Sequence, residues 1–199
     1  MKKLLILLAL WCTTITANAS LIVDIEDKVY DIDDTLTVNV YISDLNNGFQ
    51  KLVSEFSFNL LSEDSLLTFQ QATFGTKLDV DMFTSIPSDK VVDNSAMNNL
   101  FISEFSYADS FDLFDAQDGL SRFLLASIDF KVADLGLAQF SWGDIKASNE
   151  FGVAYNDITA DDFSVQLGSQ VSVPEPSTMA IFALAILLLL SSARLRQSS

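Results

Sequence analysis

The sequence predicts an all-β fold, a single β-sandwich framed by two short targeting segments. Three observations carry that prediction. The dominant hydrophobic period between the ends is two, as in strands with one face buried. Fifteen of the 16 phenylalanines lie between residues 20 and 173, and aromatic side chains suit pleated surfaces. No stretch in that body has the pattern of a convincing amphipathic helix, and many short strands joined by polar connections favour packed sheets.

The elements follow in order. LIVDI is the first candidate strand. In TLTVNVYIS, Leu36, Val38, Val40 and Ile42 alternate with Thr37, Asn39 and Tyr41. In SEFSFNLL, Phe56, Phe58 and Leu60 alternate with Glu55, Ser57 and Asn59. LLTF follows, and then Gly75 to Asn99 is weakly patterned, with Pro87 and many Asp, Ser and Asn residues. A loop of that length is uncommon in a compact domain; this one has room for short strands or a helical turn around Asp81 to Ile86. LFISEF is a strand whose apolar face is broken by Glu104, read as a gatekeeper charge on a sheet edge. RFLLASIDFKV places Leu124, Ala126, Ile128, Phe130 and Val132 on one face. AQFSW, FGVAY, FSVQL and QVSV complete the set.

Both ends carry addresses rather than fold. Lys2 and Lys3 precede an apolar run from Leu4 to Trp11, and Ala17-Asn18-Ala19 offers small residues for a peptidase. This is a cleaved secretory signal, residues 1–19, too short to span a bilayer. At the other end VPEPST leads into an apolar segment of about residues 179–193, followed by Arg194 and Arg196. As a helix it would measure roughly 22 Å, against a hydrocarbon core of about 30 Å. The arginines orient it with the tail in the cytoplasm and the body outside. The domain between the signals is therefore residues 20–173.

Charge and missing residues narrow the function. The body holds seven basic against 26 acidic side chains, a net charge of −19 where the whole chain has −16. That field repels nucleic acid and anionic membranes and favours solubility. The chain has no histidine, and its single cysteine, Cys12, lies in the signal. Ser-His-Asp and Cys-His catalysis are thereby excluded, as are ordinary histidine zinc sites. No glycine-rich phosphate loop or basic patch occurs. A carboxylate pair acting on polysaccharide remains the enzymatic alternative.

One acidic run invites a metal reading. In DSFDLFDAQDG, Asp109, Asp112, Asp115 and Asp118 recur at every third position. Calcium takes six to eight oxygens, often from a turning loop, and Asp79 and Asp81 could add to the set. The spacing lacks the alternate acids of an EF-hand, and Phe111, Leu113 and Phe114 suggest a hairpin connection pinned to the core. The plainer reading is a solvated loop with aromatic anchors and no cofactor.

Two resemblances add expectations. Pro174, Glu175 and Pro176, the apolar run and the terminal arginines resemble the PEP-CTERM sorting signal of Gram-negative bacteria, over residues 174–199. The likeness implies an exosortase-type processing enzyme, a secretion translocon, a transient inner-membrane intermediate facing the periplasm, and delivery to the surface or exopolysaccharide matrix. DDTLTVNVYISDL, EFSFNLLSEDSLLTFQQATFG and LLASIDFKVADLGLAQFSW are similar to cohesin-like sandwich domains, over about residues 33–142. Asp33-Asp34 stands where the family has Gly-Asp, and Glu63-Asp64-Ser65 lacks the family's turn proline. This second likeness implies a jelly-roll sandwich of about nine strands. The expectation is a non-catalytic exported protein binding protein or glycan, with a permanently anchored periplasmic domain as the other alternative.

Overall fold

The structure is a computed structural model that describes residues 19–45, 52–62, 65–80, 86–96, 98–155 and 158–168. The expected signal segment up to residue 18 lies outside them, as do Asp81, QVSV and the sorting segment with Pro174, Glu175, Pro176, Arg194, Arg196 and the apolar run 179–193. Among the described residues no helix is long and apolar enough to cross a membrane.

The described body is a sandwich of two five-stranded sheets. The strands are β1 (Ser20–Ile25), β2 (Thr35–Ser43), β3 (Glu55–Ser62), β4 (Leu67–Phe74), β5 (Asp89–Ala96), β6 (Asn99–Phe105), β7 (Arg122–Val132), β8 (Gly136–Ser148), β9 (Thr159–Ala160) and β10 (Phe163–Leu167). The first sheet runs β4-β7-β2-β1-β9 and the second β10-β8-β3-β6-β5. Every pairing is antiparallel except that of β1 with the two-residue β9. One short helix, α1 (Ser110–Gln117), joins β6 to β7.

The alternating residues behave as their period demands. Leu36, Val38, Val40 and Ile42 of β2 are fully buried, as are Phe56, Phe58 and Leu60 of β3. Successive side chains of a strand point to opposite faces, so each run supplies one wall of the core. Phe58 lies near-parallel to Phe56 at 6.0 Å and meets Trp142 edge-on at 5.4 Å. Phe130 and Phe140 then join the two sheets at 5.6 Å.

One open expectation is met and three are corrected. The Gly75–Asn99 stretch contains β5, whose eight residues are all exposed. An edge strand wet on both faces leaves no hydrophobic alternation to read. The Asp109–Asp118 run is a helix rather than a hairpin loop. Asp109 Oδ1 accepts from the amides of Phe111 and Asp112 at 2.8 and 3.0 Å, which caps the helix N-terminus. FGVAY is not a strand; it makes one isolated bridge, Ser148 with Ala154. Asn149 Oδ1 accepts from Phe151 and Val153 amides there, so a side-chain turn replaces the ladder. In β7 the register against β2 slips by one residue at Val40/Tyr41. A bulge there turns Leu124 outward and puts Phe123 and Leu125 in the core beside Ala126.

Candidate functional site

The outer faces of the two sheets differ in what their side chains do with one another. On the first sheet they bond laterally. Thr37 Oγ1 donates to Asp129 Oδ1 at 2.7 Å, Gln71 Nε2 donates to Asp129 Oδ2 at 2.8 Å, and Ser127 Oγ donates to Asn39 Oδ1 at 2.7 Å. The Arg122 guanidinium sits 5.0 Å over the Tyr41 ring. Such a ladder is satisfied in itself and presents hydrated polar groups.

The second sheet is built otherwise. Directly paired residues of antiparallel strands share a face, so the registers define its outer rows. One row is Asp89, Phe105, Glu55 and Ser148; the next is Val91, Ser103, Ser57 and Lys146; a third joins Asp93, Phe101 and Asn59. Val91 is 41% and Phe105 43% exposed. Phe105 is met edge-on by exposed Tyr107 at 5.2 Å. Short serines between aromatic rings leave a shallow, flat platform. The hairpin after Ser148 adds exposed Phe151 and Val153 at the same end. Its stem is held by Tyr155, whose hydroxyl donates to Leu52 O at 2.9 Å. Burial, first, and the nearby Glu150 charge push that phenol well above the usual range.

Under this platform sits an acid. Glu104 points inward with Leu100 and Ile102 and is 1% exposed. β5 covers β6 on its outer side, so the gatekeeper reading is corrected: β6 is not an edge. Glu104 Oε1 accepts from Ser88 Oγ at 2.5 Å and lies 3.7 Å from Lys90 Nζ. Lys90 donates to Asp79 Oδ2 at 2.7 Å, and Asp79 Oδ1 accepts from Ser88 N at 3.1 Å. The ring ties β5 and the chain before it to β6. It leaves Glu104 no open approach for a substrate.

Burial holds the Glu104 carboxyl above its ordinary 4.5, against the Ser88 hydrogen bond and the Lys90 charge. Asp79 is held below 3.8, first by the Lys90 hydrogen bond and then by the Ser88 amide. The signs oppose. The raised Glu104 costs stability as pH rises from 4.5 through its folded value, whereas the depressed Asp79 contributes stability that is lost as pH falls. Glu104→Gln keeps an acceptor for Ser88 and removes the buried charge together with its attraction to Lys90. Urea unfolding at pH 4 and pH 7 should show the variant gaining stability over the parent at pH 7 and little at pH 4. A variant weaker than the parent at pH 7 alone would mean that the Lys90 attraction outweighs burial.

The acidic run does not gather around one point. Asp109 is the helix cap, Asp112 lies on the buried side of α1, and Asp115 and Asp118 are exposed. The eight-residue helix between them separates the first and last by roughly 13 Å. Asp79 is engaged with Ser88 and Lys90. Among the described residues no group of three or more carboxylates is placed to hold a metal ion. At the N-terminus, Ala19 O accepts from Thr159 N at 3.1 Å.

Comparison with known proteins bears on both halves of the chain. Residues 172–197 match the PEP-CTERM protein-sorting motif. The motif indicates an exported protein sorted to the cell envelope or surface. No curated protein matches the sequence. Among solved structures, a cohesin module from a family 33 glycoside hydrolase of Clostridium perfringens aligns with a TM-score of 0.57 at 8% identity, over 77% of this chain and 98% of that one. The body has a cohesin-like fold. CaCohA2 from Clostridium acetobutylicum has a TM-score of 0.54 at 17% identity, covering 77% of this chain and 93% of its own. A non-cellulosomal cohesin from Archaeoglobus fulgidus gives 0.52 at 15%, covering 78% and 94%. The platform on the cohesin-like body was not visible in the sequence. Its signal was the outward set of β3, read there only as the polar half of an alternation, together with Phe101 and Phe105 of β6, whose facing the sequence did not assign.

Proposed function

We propose that the chain is a non-catalytic, exported binding module whose β10-β8-β3-β6-β5 platform receives a partner protein. The observation that carries this reading is the contrast between the two outer faces. One carries a ladder of side-chain hydrogen bonds beside the row Ile22, Tyr41 and Leu124; the other presents Val91, Phe101 and Phe105 among serines with no such ladder described. Exposed aromatic groups on a flat face are what protein interfaces bury. Several similar structures are cohesins in complex with dockerins, which supports a protein module as the partner class. Asp89, Asp93 and Glu55 outnumber Lys146 on the platform, so the partner's contacting surface should be basic.

The delivery route follows from the ends. Residues 1–19 direct export, with cleavage after Ala19. Residues 20–173 are the module. Residues 174–199 hold it in the inner membrane until an exosortase-type enzyme cuts near Pro174–Pro176 and releases it to the surface or matrix of a Gram-negative cell.

A photo-crosslinking amino acid at position 103 tests the platform in the native host. We expect a discrete protein adduct from position 103 and none from position 39 on the opposite face. Adducts from position 39 alone, or from neither, would remove the reading. Mass spectrometry of the same material should show a mature chain ending near residues 174–176. An intact tail would count against processing without touching the binding face.

A further inference from the structure

We infer that the outer edge of β5 accepts an extended segment of a partner chain as an added strand, one that sets basic side chains against Asp89 and Asp93. β5 ends its sheet, with β6 on one side and, among the described residues, no strand on the other. A sheet edge presents unpaired N–H and C=O groups. Proteins ordinarily blunt it with a short strand, a bulge or a charged side chain, above all lysine. The first sheet does so: β9 has two residues, and β4 breaks register at Phe69/Gln71. β5 holds unbroken register with β6 from Asp89 to Asp93 and contains no proline.

The one lysine of β5 is kept off that edge. Lys90 is paired with Glu104 across the ladder and shares its inward face. Its Nζ donates to Asp79 Oδ2 at 2.7 Å, lies 3.7 Å from Glu104 Oε1 and stands 6.0 Å over the Phe74 ring. Glu104 and Asp79 therefore draw the usual guard of an edge inward. What is left along the strand is Asp89, Val91, Val92 and Asp93, all exposed. Asp93 is fixed by the Ser95 amide, which donates to its Oδ1 at 2.8 Å.

The occupant follows from the side each residue faces. Asp89, Val91 and Asp93 go outward with Phe105, Ser103 and Phe101, and Val92 goes inward with Ile102. An added strand meets the outward trio with basic, apolar and basic side chains at alternate positions. Its inward side chain beside Val92 lies at the cavity of about 250 Å³ between β4 and β5, against Leu67, Phe69 and Leu100, and is apolar. Ladder bonds then supply affinity, and the alternating side chains supply selectivity. A second copy's β5 fits poorly. The antiparallel register that sets Val91 against Val91 sets Asp89 against Asp93, and the next sets Asp93 against Val91; like charges directly opposite are destabilising. The edge lies apart from the flat platform, so this inference stands whether or not that face binds a protein.

The probe is a capped peptide, Thr-Arg-Leu-Val-Thr-Arg-Thr, titrated into the isotope-labelled full chain in zwitterionic detergent. Laid antiparallel, its arginines oppose Asp93 and Asp89 and its leucine opposes Val92. Backbone amide NMR shifts should move in residues 89–93 and saturate with a Kd of about 1 mM or below. Methylating the peptide's amides at every second residue should abolish binding in one phase and spare it in the other, because alternate N–H groups of a strand face a given neighbour. A peptide with one arginine moved by one place, and so to the other face, should bind roughly tenfold more weakly, as it should when Asp89→Asn and Asp93→Asn are combined. No saturable shift by about 5 mM overturns the inference. Equal binding in both methylated phases, or by the rearranged peptide, overturns it too, since attraction to an acidic surface would then suffice. Shifts confined to the row of Phe101 and Phe105 would move the contact to the flat face and end the proposal of an added strand.

Discussion

Replacing Phe58 by alanine is expected to lower the unfolding free energy by about 3–5 kcal/mol. Phe58 is 1% exposed, in the middle of the central strand of its sheet. Its ring is packed against Phe56 and Trp142 on either side. Truncation removes the transfer energy of the ring and leaves a hole that β3 cannot close, because both of its neighbours are hydrogen-bonded along their length. Domains of this size hold about 5–15 kcal/mol in all, so the variant would sit near the edge of folding. Chemical denaturation should show a lower midpoint with an unchanged slope. A loss under about 1 kcal/mol would mean that the aromatic packing around β3 is not as described.

Gly75→Ala should cost about 3 kcal/mol or more, by a different route. A Cβ at Gly75 would stand 1.9 Å from the carbonyl oxygen of Leu124 and 2.9 Å from its carbon. Backbone atoms cannot rotate away as a side chain can. Gly75 N donates to Leu125 O at 2.8 Å, so the added methyl must break that bond and peel the end of β4 from β7. The damage would travel. Leu78, just beyond, is buried; its carbonyl accepts from Ser106 Oγ, and that of Lys77 accepts from Gln117 Nε2 at 3.0 Å. Hydrogen exchange should therefore accelerate in α1 as well as at the end of β4. Gly119 is the control: it has φ of +75° with nothing within 4 Å, so alanine there meets only backbone strain, about 1 kcal/mol. Equal losses at the two glycines would contradict the close approach.

Particular residues show how far the sequence could be read. β2 and β3 were legible because one face of each meets the core and the other meets water. β5 was not, since Val91 and Val92 point to opposite sides of a strand exposed on both. The capping pair Asp109 and Asp112, three apart ahead of an apolar residue, was a legible helix start; the interleaved Phe111, Leu113 and Phe114 drew the reading to a hairpin connection instead. The β7 bulge was hidden because Leu124 and Leu125 are both leucine, so either parity fits the letters. Glu104 was correctly seen to interrupt an apolar face. What covers β6 could not be seen, and that decided whether the charge faced water or the core.

By itself the sequence determined the class of fold, the C-terminal sorting motif and the chemistries that the lack of histidine forbids. These depend on local order: the period of side chains along a strand, the length of an apolar run, the presence of a residue type. Only the tertiary structure decided which sheet face presents exposed aromatic side chains, and that Glu104 is enclosed with Ser88 and Lys90. Each of those depends on which distant strands pair and in what register. Pairing is settled by the whole core at once, so no single segment records it.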